Sequence, residues 1–323
     1  MKILIMGCRS FGQEHIKASI KAGLDVCIME RNDEIREMCK NKFSIKEAYS
    51  DINSSLESDA DIVDIVLPTH IHKEVSIKAM KKGKHVILEK PMAKGIDEAI
   101  EIMSVTKETG KKFMVAEQFF FDPAVEYVRK TLEKGELGKI FTIIVRDQRL
   151  YRGGDWRTRT EFVGGGALSN GGIHMIDSFL NFGGEYSEIK SYIYHTVSTV
   201  EAEDTIESLF KFTSGAHGLF FYSWGYQNPH IIPKFEVIGE NGWIIEEPRD
   251  SRINNNGNQE RKNVYGNIIH NDHTIVMPRE NLIYKEIQQF MNSILEDKPV
   301  PFQPSLAFRD LLAIKKIYES TNF

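Results

Sequence analysis

The stretch HVILEKPM ends an apolar run on Lys90, immediately before Pro91. At the carboxyl end of a buried strand, beside a nicotinamide, such an ammonium can hydrogen-bond a substrate hydroxyl and stabilise developing alkoxide charge. The same position also suits a lysine that only snorkels from a sheet edge. A second stretch, GGGALSNGGIHMID, crowds five glycines around an Asn, a His and an Asp. Glycine costs about 1 kcal/mol in a helix interior, so the expectation is backbone that lies close to a ligand. A third, MGCRSFGQEH, places Gly7, Arg9, Ser10, Phe11 and Gly12 where a strand turns into a helix. In that context a helix N-terminus can receive a dinucleotide pyrophosphate. Gly7 serves the tight turn and Gly12 the helix–strand packing. Arg9 replaces the middle glycine, and either pairs with phosphate or weakens its binding. Glu30 follows Gly7 by 23 residues, where an acid accepts from ribose hydroxyls and favours NAD. Arg31 beside it has the opposite tendency, toward the 2′-phosphate of NADP.

The elements needed to hold these residues can be read along the chain. KILIMG, DVCIME, DIVDIVLP, HVILE and KFMVA read as strands, separated by helical stretches such as SFGQEHIKASIKAGL and GIDEAIEIMSVTKETG. That alternation predicts a parallel sheet wound by right-handed crossovers, covered on both faces. Beyond residue 120 the rhythm changes. PAVEYVRKTLEKGELG reads as a helix leading into IFTIIVRDQ. TIESLFKFTSG, AHGLFFYSWG, KFEVIGENG and WIIEE then read as an antiparallel sheet. Residues 250 to 275 are Asn-rich, a surface loop or hairpin, and two amphipathic helices close the chain. The expected fold is α/β: an N-terminal Rossmann parallel sheet over residues 1–120, and a C-terminal α/β domain with a large, mainly antiparallel open sheet over 121–323.

With 323 residues, 41% hydrophobic and 27% charged, the chain has room for two cores. A net charge of −5 gives no basic footprint for nucleic acid, and no apolar run approaches a membrane span. Cys8, Cys27 and Cys39 share no metal-ligand spacing and read as free thiols of a cytoplasmic protein. His70 and His72 form an H-x-H pair with no further ligand at fitting spacing, so no metal is expected.

With these motifs in view, the chain resembles the glucose–fructose oxidoreductase/inositol dehydrogenase/rhizopine catabolism (GFO/IDH/MocA) family from end to end. The marks are the glycine turn ending in His15, P-T-H-I-H with Pro68, Thr69 and His72, and E-K-P at Glu89 to Pro91. Trp156-Arg157, G-G-G-x-L at Gly164, G-x-H-x-x-D at Gly172 to Asp177, E-D-T at Glu203 and the closing helix pair complete them. The resemblance implies NAD(P)-dependent oxidation or reduction of sugars, polyols and related compounds. It also implies a homodimer or homotetramer built through the C-terminal sheet. By the same resemblance Lys90 is catalytic, Trp156 and Arg157 border the substrate, and Pro68, His72, Glu89 and Gln118 join the glycine turn around the cofactor. Asn170 and His174 stand where the family carries an Asp and a His. With Ser169 as helix N-cap, both would lie on one face of the first turns. His174 is then the expected general base, kept neutral by the helix N-terminus, and Asp177 either orients it or points into the interior.

Asn170 departs from the family pattern, because an amide can position a hydroxyl but cannot carry a proton. Gln118 and Phe120 depart too, standing where the family often has Asn and Arg. Tyr151, Arg152, Asp155, Arg157 and Arg159 make a polar loop, either for an acidic sugar or simply solvated. Two rival functions stay open at this point: a catalytically silent NAD(P)- and sugar-binding regulator, and an NAD-dependent glycosidase with no net NADH.

Overall fold

The computed structural model describes residues 1–151, 153–154, 156–196, 200–248 and 263–321. In chain order the first elements are β1 (Lys2–Met6), α1 (Ser10–Lys21), β2 (Asp25–Met29), α2 (Asp33–Phe43), β3 (Ala48–Tyr49), α3 (Ile52–Leu56) and β4 (Ile62–Ile65). Next are α4 (His72–Lys81), β5 (His85–Glu89), α5 (Ile96–Thr109), β6 (Phe113–Ala116), α6 (Pro123–Glu133), β7 (Ile140–Gln148), α7 (Thr160–Val163) and α8 (Ile173–Gly183). The remainder are β8 (Tyr186–Tyr194), β9 (Thr205–Phe212), β10 (His217–Ser223), β11 (Phe235–Gly239), β12 (Gly242–Glu246), β13 (Ile268–His270), β14 (His273–Ile275), α9 (Leu282–Leu295) and α10 (Pro304–Glu319).

These elements form two compact units, Met1–Glu117 with Ile283–Phe308, and Gln118–Leu282 with Arg309–Phe323. The first holds a parallel six-stranded sheet in the order β3-β2-β1-β4-β5-β6. β1 and β4 lie side by side at its centre, where the strand order reverses, so the loops after them open on the same carboxyl edge. Ile3, Leu4, Ile5, Val63, Ile65, Ile87 and Leu88 are fully buried, as a sheet covered on both faces requires. Segment 283–308 groups with this unit, although the expected division assigned everything past residue 120 to the second domain. The reason is visible in α9, where Ile283, Ile287 and Phe290 make a buried stripe that belongs to the first unit's core.

The second unit holds an eight-stranded sheet in the order β14-β13-β12-β11-β7-β10-β9-β8. It is antiparallel except for β7 and β10, which run parallel. Its core face packs Phe210, Phe212, Phe220 and Phe235 against Phe179 and Phe182 of α8. Nine of the eleven residues of α8 are buried, so this helix is apolar nearly all round and sits inside the unit. Of the Asn-rich stretch expected to be a loop or hairpin, residues 268–275 form the β13–β14 hairpin, and 250–262 lie outside the described residues.

Candidate active site

In the first unit the predicted residues gather along the carboxyl edge of the parallel sheet. Gly7 ends β1 at φ +96°, a left-handed value that L side chains rarely adopt. A Cβ on Gly12 would stand 1.8 Å from the Gly7 carbonyl oxygen, so only glycine lets α1 begin this close to the strand. α1 opens on Arg9 in an extended conformation, with no side-chain cap and no acid in its first turn. Its positive end therefore keeps its affinity for an anion. Arg9 and Ser10 are exposed and Phe11 is half-buried.

Glu30 is buried at the end of β2. It accepts from the backbone N–H of Cys8 at 3.0 Å and of Asn32 at 3.1 Å, while Arg36 donates to its carbonyl. Arg31 is exposed. An uncapped helix start, a bare glycine turn and an acid at the end of the next strand fit a dinucleotide by their chemistry.

Pro68 is half-buried and Thr69 buried at the turn after β4. The His72 ring lies between the carbonyl oxygens of Leu67 at 2.7 Å and Pro91 at 2.9 Å. Burial lowers its pKa, against the two carbonyls that raise it. Glu89 and Lys90 follow at the end of β5, buried and half-buried. The cofactor-facing roles expected of Pro68, Thr69, His72 and Glu89 are thus joined by a structural one: His72 staples the turn after β4 to the residue after Lys90.

In the second unit the helical path begins before α8, through a π-helical turn over Leu168–Gly172 that runs straight into it. Ser169 lies inside this turn, so it is not the N-cap. Its hydroxyl hydrogen-bonds Tyr318 at 3.1 Å. The cap comes from Glu203. Its carboxylate accepts from the N–H of Gly166 at 3.1 Å and of Leu168 at 2.9 Å, and its own carbonyl accepts from Ala167 at 2.9 Å. Tyr318 adds a fourth donor at 2.9 Å. Burial pushes the Glu203 carboxyl up, against these donors. The end of this helix, expected to act on His174, is thus already taken by the Glu203 side chain.

The glycines also answer to the interior here. A Cβ on Gly166 would meet the Glu203 carbonyl oxygen at 2.1 Å, and one on Gly171 would meet the Tyr222 hydroxyl at 2.1 Å. They are small because protein presses on them, which corrects the expectation that they are bare for a ligand.

His174 is buried, and its ring is stacked on Phe119 at 4.3 Å and 10° between planes. Phe119 meets Tyr265 edge-on at 5.8 Å. The Asn170 side-chain amide donates to the Arg157 carbonyl oxygen at 3.2 Å, fastening the 3-10 turn Trp156–Thr158 to the π-helical turn. The Arg157 guanidinium lies over the Trp156 ring at 4.7 Å. Asp177 accepts from Arg309 at 3.0 Å, tying α8 to α10. Gln118 opens a 3-10 turn over Gln118–Phe121. Of the polar loop, Tyr151 stacks on Trp224 at 4.2 Å, Arg159 pairs with Glu161, and Arg152 and Asp155 lie outside the described residues. Among the described residues no group of three or more His, Cys, Asp or Glu is set to hold a metal.

Phe119 and Tyr222, which the sequence does not single out, stand against His174 and Gly171. The E-D-T motif held Glu203 in plain sight, but nothing in its spacing announces a carboxylate that caps a distant helix.

Residues 1–117 match the model of the oxidoreductase family with NAD-binding Rossmann fold, and residues 125–245 match the GFO/IDH/MocA C-terminal domain. The chain belongs to the GFO/IDH/MocA family. Levoglucosan dehydrogenase of Pseudarthrobacter phenanthrenivorans is 26% identical over 247 residues, 68% of this chain and 63% of that protein. D-Glucoside 3-dehydrogenase of Escherichia coli is 28% identical over 184 residues, 53% of this chain and 52% of that protein. The matched segments thus span between about half and two-thirds of these curated relatives. Among solved structures, an oxidoreductase of Thermotoga maritima superposes with TM-score 0.86 at 23% identity, covering 99% of this chain and 96% of that one. Levoglucosan dehydrogenase in complex with NADH gives 0.85 at 21% identity over 99% and 96%. Likeness at this identity establishes the fold. Among the described residues no helix is long and apolar enough to cross a membrane.

Proposed function

We propose that the protein is an NAD(P)-dependent dehydrogenase or reductase that moves a hydride between nicotinamide and a secondary alcohol or ketone of a sugar, polyol or sugar derivative. The observation that carries this reading is the arrangement at the carboxyl edge of the parallel sheet. The glycine turn, the uncapped start of α1 and Glu30 stand on the same edge as Lys90. The names of relatives, among them dehydrogenases of levoglucosan and of D-glucosides, lend it further support.

When bound, the cofactor supplies the hydride acceptor or donor. The chain's own residues do the rest. Gly7 makes the tight turn and Gly12 lets α1 pack on the strand, which sets Arg9, Ser10 and Phe11 at the start of α1 beside the pyrophosphate, and Glu30 takes the ribose hydroxyls. Pro68, Thr69, His72, Glu89 and Gln118 complete the cofactor's surroundings. Lys90 holds the reacting oxygen and stabilises charge on it, while His174 takes the hydroxyl proton in oxidation and returns it in reduction. Asn170 orients a substrate hydroxyl with the part of its amide not given to Arg157, and Trp156 and Arg157 border the sugar.

Glu30 favours NAD over NADP, since a carboxylate repels a 2′-phosphate. Tighter binding of NADPH than of NADH would contradict that preference. The functional domains divide near residue 120, with 1–120 for the cofactor and 121–323 for substrate and assembly. The eight-stranded sheet offers one face for self-association. Leu209 is 58% exposed, Leu219 37% and Tyr192 68%, on adjacent strands β9, β10 and β8. A homodimer or homotetramer would cover them, and Leu209→Lys is expected to lower the mass read by light scattering. Three buried free thiols accord with a cytoplasmic setting.

The test follows nicotinamide absorbance with NAD or NADP over aldoses, inositols, sugar acids and glycosides, with Lys90→Ala beside the wild type. Turnover that is lost in the variant supports the reading. Glycoside cleavage without net NADH contradicts it.

A further inference from the structure

The two residues flanking Lys90 are each held by a buried histidine. His72 takes the carbonyl of Pro91 on one side. On the other, His15 of α1 lies with Nε2 at 3.2 Å from Glu89 Oε1 and Nδ1 at 2.8 Å from Asp64 Oδ2 on β4. His15 and Asp64 are fully buried and Glu89 is 8% exposed. A neutral imidazole has one N–H, so two carboxylates on its two nitrogens call for the doubly protonated ring, donating to both.

From these contacts we infer that His15 is a positioning residue for Lys90. As an imidazolium it ties the helix that begins at the dinucleotide turn to the strand end that carries the lysine. The inference rests on the dinucleotide reading above and adds a role that neither the glycine turn nor Lys90 implies.

The surrounding charges agree with it. α9 brings Glu286, 1% exposed, whose Oε2 has no hydrogen-bond partner among the described residues. Burial, with Glu89, Asp64 and Glu117, pushes the Glu286 carboxyl well up, against the pull of His15. The core of the cluster is Asp64, His15 and Glu89, with Glu117 buried nearby. For His15 itself, burial acts to lower the pKa, but Asp64 and Glu89 outweigh it and raise it well above the ordinary imidazole value. Phe11, on the same helix, covers the ring at 5.2 Å. His72 is the contrasting arm: it faces backbone carbonyls, and its pKa is lowered. The two arms of the bracket thus differ in what holds them: carboxylates on the His15 side, backbone carbonyls on the His72 side.

The full chain provides two readouts. Nitrogen-15 NMR of the wild-type histidines is expected to show both ring nitrogens of His15 protonated at pH 7.5. A single protonated nitrogen there overturns the inference, whether or not any variant folds. NADH binding, followed by fluorescence, is expected to hold steady from pH 6 to 8 and to weaken as pH rises through the His15 titration. His15→Gln should bind about tenfold more weakly, the net worth of one charge-assisted hydrogen bond, and lose that pH dependence. Asp64→Asn, which removes one of the two carboxylates holding the proton, should move the loss to lower pH. A wild type that binds NADH, matched by His15→Gln in affinity and pH profile, defeats this inference alone. A wild type that does not bind NADH at any pH defeats the dinucleotide reading with it.

Discussion

Asn170→Asp restores the residue type the family usually carries, and this structure predicts that the restoration is costly. The Asn170 amide donates to the Arg157 carbonyl oxygen at 3.2 Å, in a site where Asn170 is 8% exposed. An ionised Asp has no hydrogen to give and would set two like partial charges face to face. Losing a neutral hydrogen bond costs about 1 kcal/mol, and leaving a buried acceptor opposed by a carboxylate adds about 1–3 kcal/mol. The sum, about 2–4 kcal/mol, corresponds to a thermal midpoint lowered by about 6–12 °C for a unit of this size. Burial and the facing carbonyl would both raise the new carboxyl above the ordinary value of about 3.9. The folded state then holds its proton where the unfolded state has released it. Stability is therefore close to wild type near pH 4, where the protonated acid can donate to Arg157, and is lost as pH rises through the raised folded pKa. Thermal unfolding of wild type and Asn170→Asp from pH 4 to 8 reads this directly. A variant as stable as wild type at pH 8, with no widening gap as pH rises, would refute the assignment of Asn170 as a tether.

Three further outcomes follow from the second unit. Gly166→Ala would drive a Cβ to 2.1 Å from the Glu203 carbonyl oxygen, and backbone cannot swing aside as a side chain can. A loss of about 3 kcal/mol is expected, seen as a thermal midpoint lower by about 6–12 °C, and a midpoint within 2–3 °C of wild type would mean the segment is not packed as described. Glu246 is 2% exposed, accepts from the N–H of Lys234 and Gly266, and is pushed by burial from 4.5 to about 7. The stability this acid contributes below its unfolded pKa is lost between about pH 4.5 and 7, to the extent of about 3 kcal/mol. Urea unfolding should show that slope in wild type and a flatter one in Glu246→Gln. Phe119→Leu removes the face stacked on His174. Such a contact is worth about 0.5–1.5 kcal/mol, so kcat should fall about three- to tenfold with Phe119→Tyr near wild type, whereas an unchanged kcat would separate Phe119 from the reaction.

The parallel sheet was legible because its signals are local. Buried strands such as HVILE and DIVDIVLP are continuous apolar runs, and the turn at Gly7 needs glycine for backbone reasons that a sequence displays. Glu30 and Lys90 were legible for the same reason, each being fixed by its place at a strand end. What stayed hidden was long-range. Glu203 caps the π-helical turn from more than thirty residues away, and its carboxylate displaces Ser169 from the role that local spacing suggests. The glycines of GGGALSNGG looked like a ligand's clearance, yet Tyr222 and Glu203 fill the space. α2, β3 and α3 were passed over: α2 is strongly polar with Cys39 its one buried residue, and β3 and α3 span only two and five residues. An acid in the middle of an apolar strand, Asp64 in DIVDIV, was the available clue to the His15 cluster, since a buried carboxylate needs a partner.

The most direct test of the proposed chemistry follows the hydride itself. NADH carrying deuterium at both C4 positions of the nicotinamide would be incubated with the protein and a panel of ketoses and keto-sugars, and the products read by mass spectrometry and NMR. One deuterium is expected bound to carbon at a newly formed secondary alcohol, in the wild type and not in Lys90→Ala. Binding of NADH with no deuterium transferred to any carbonyl in the panel would contradict it.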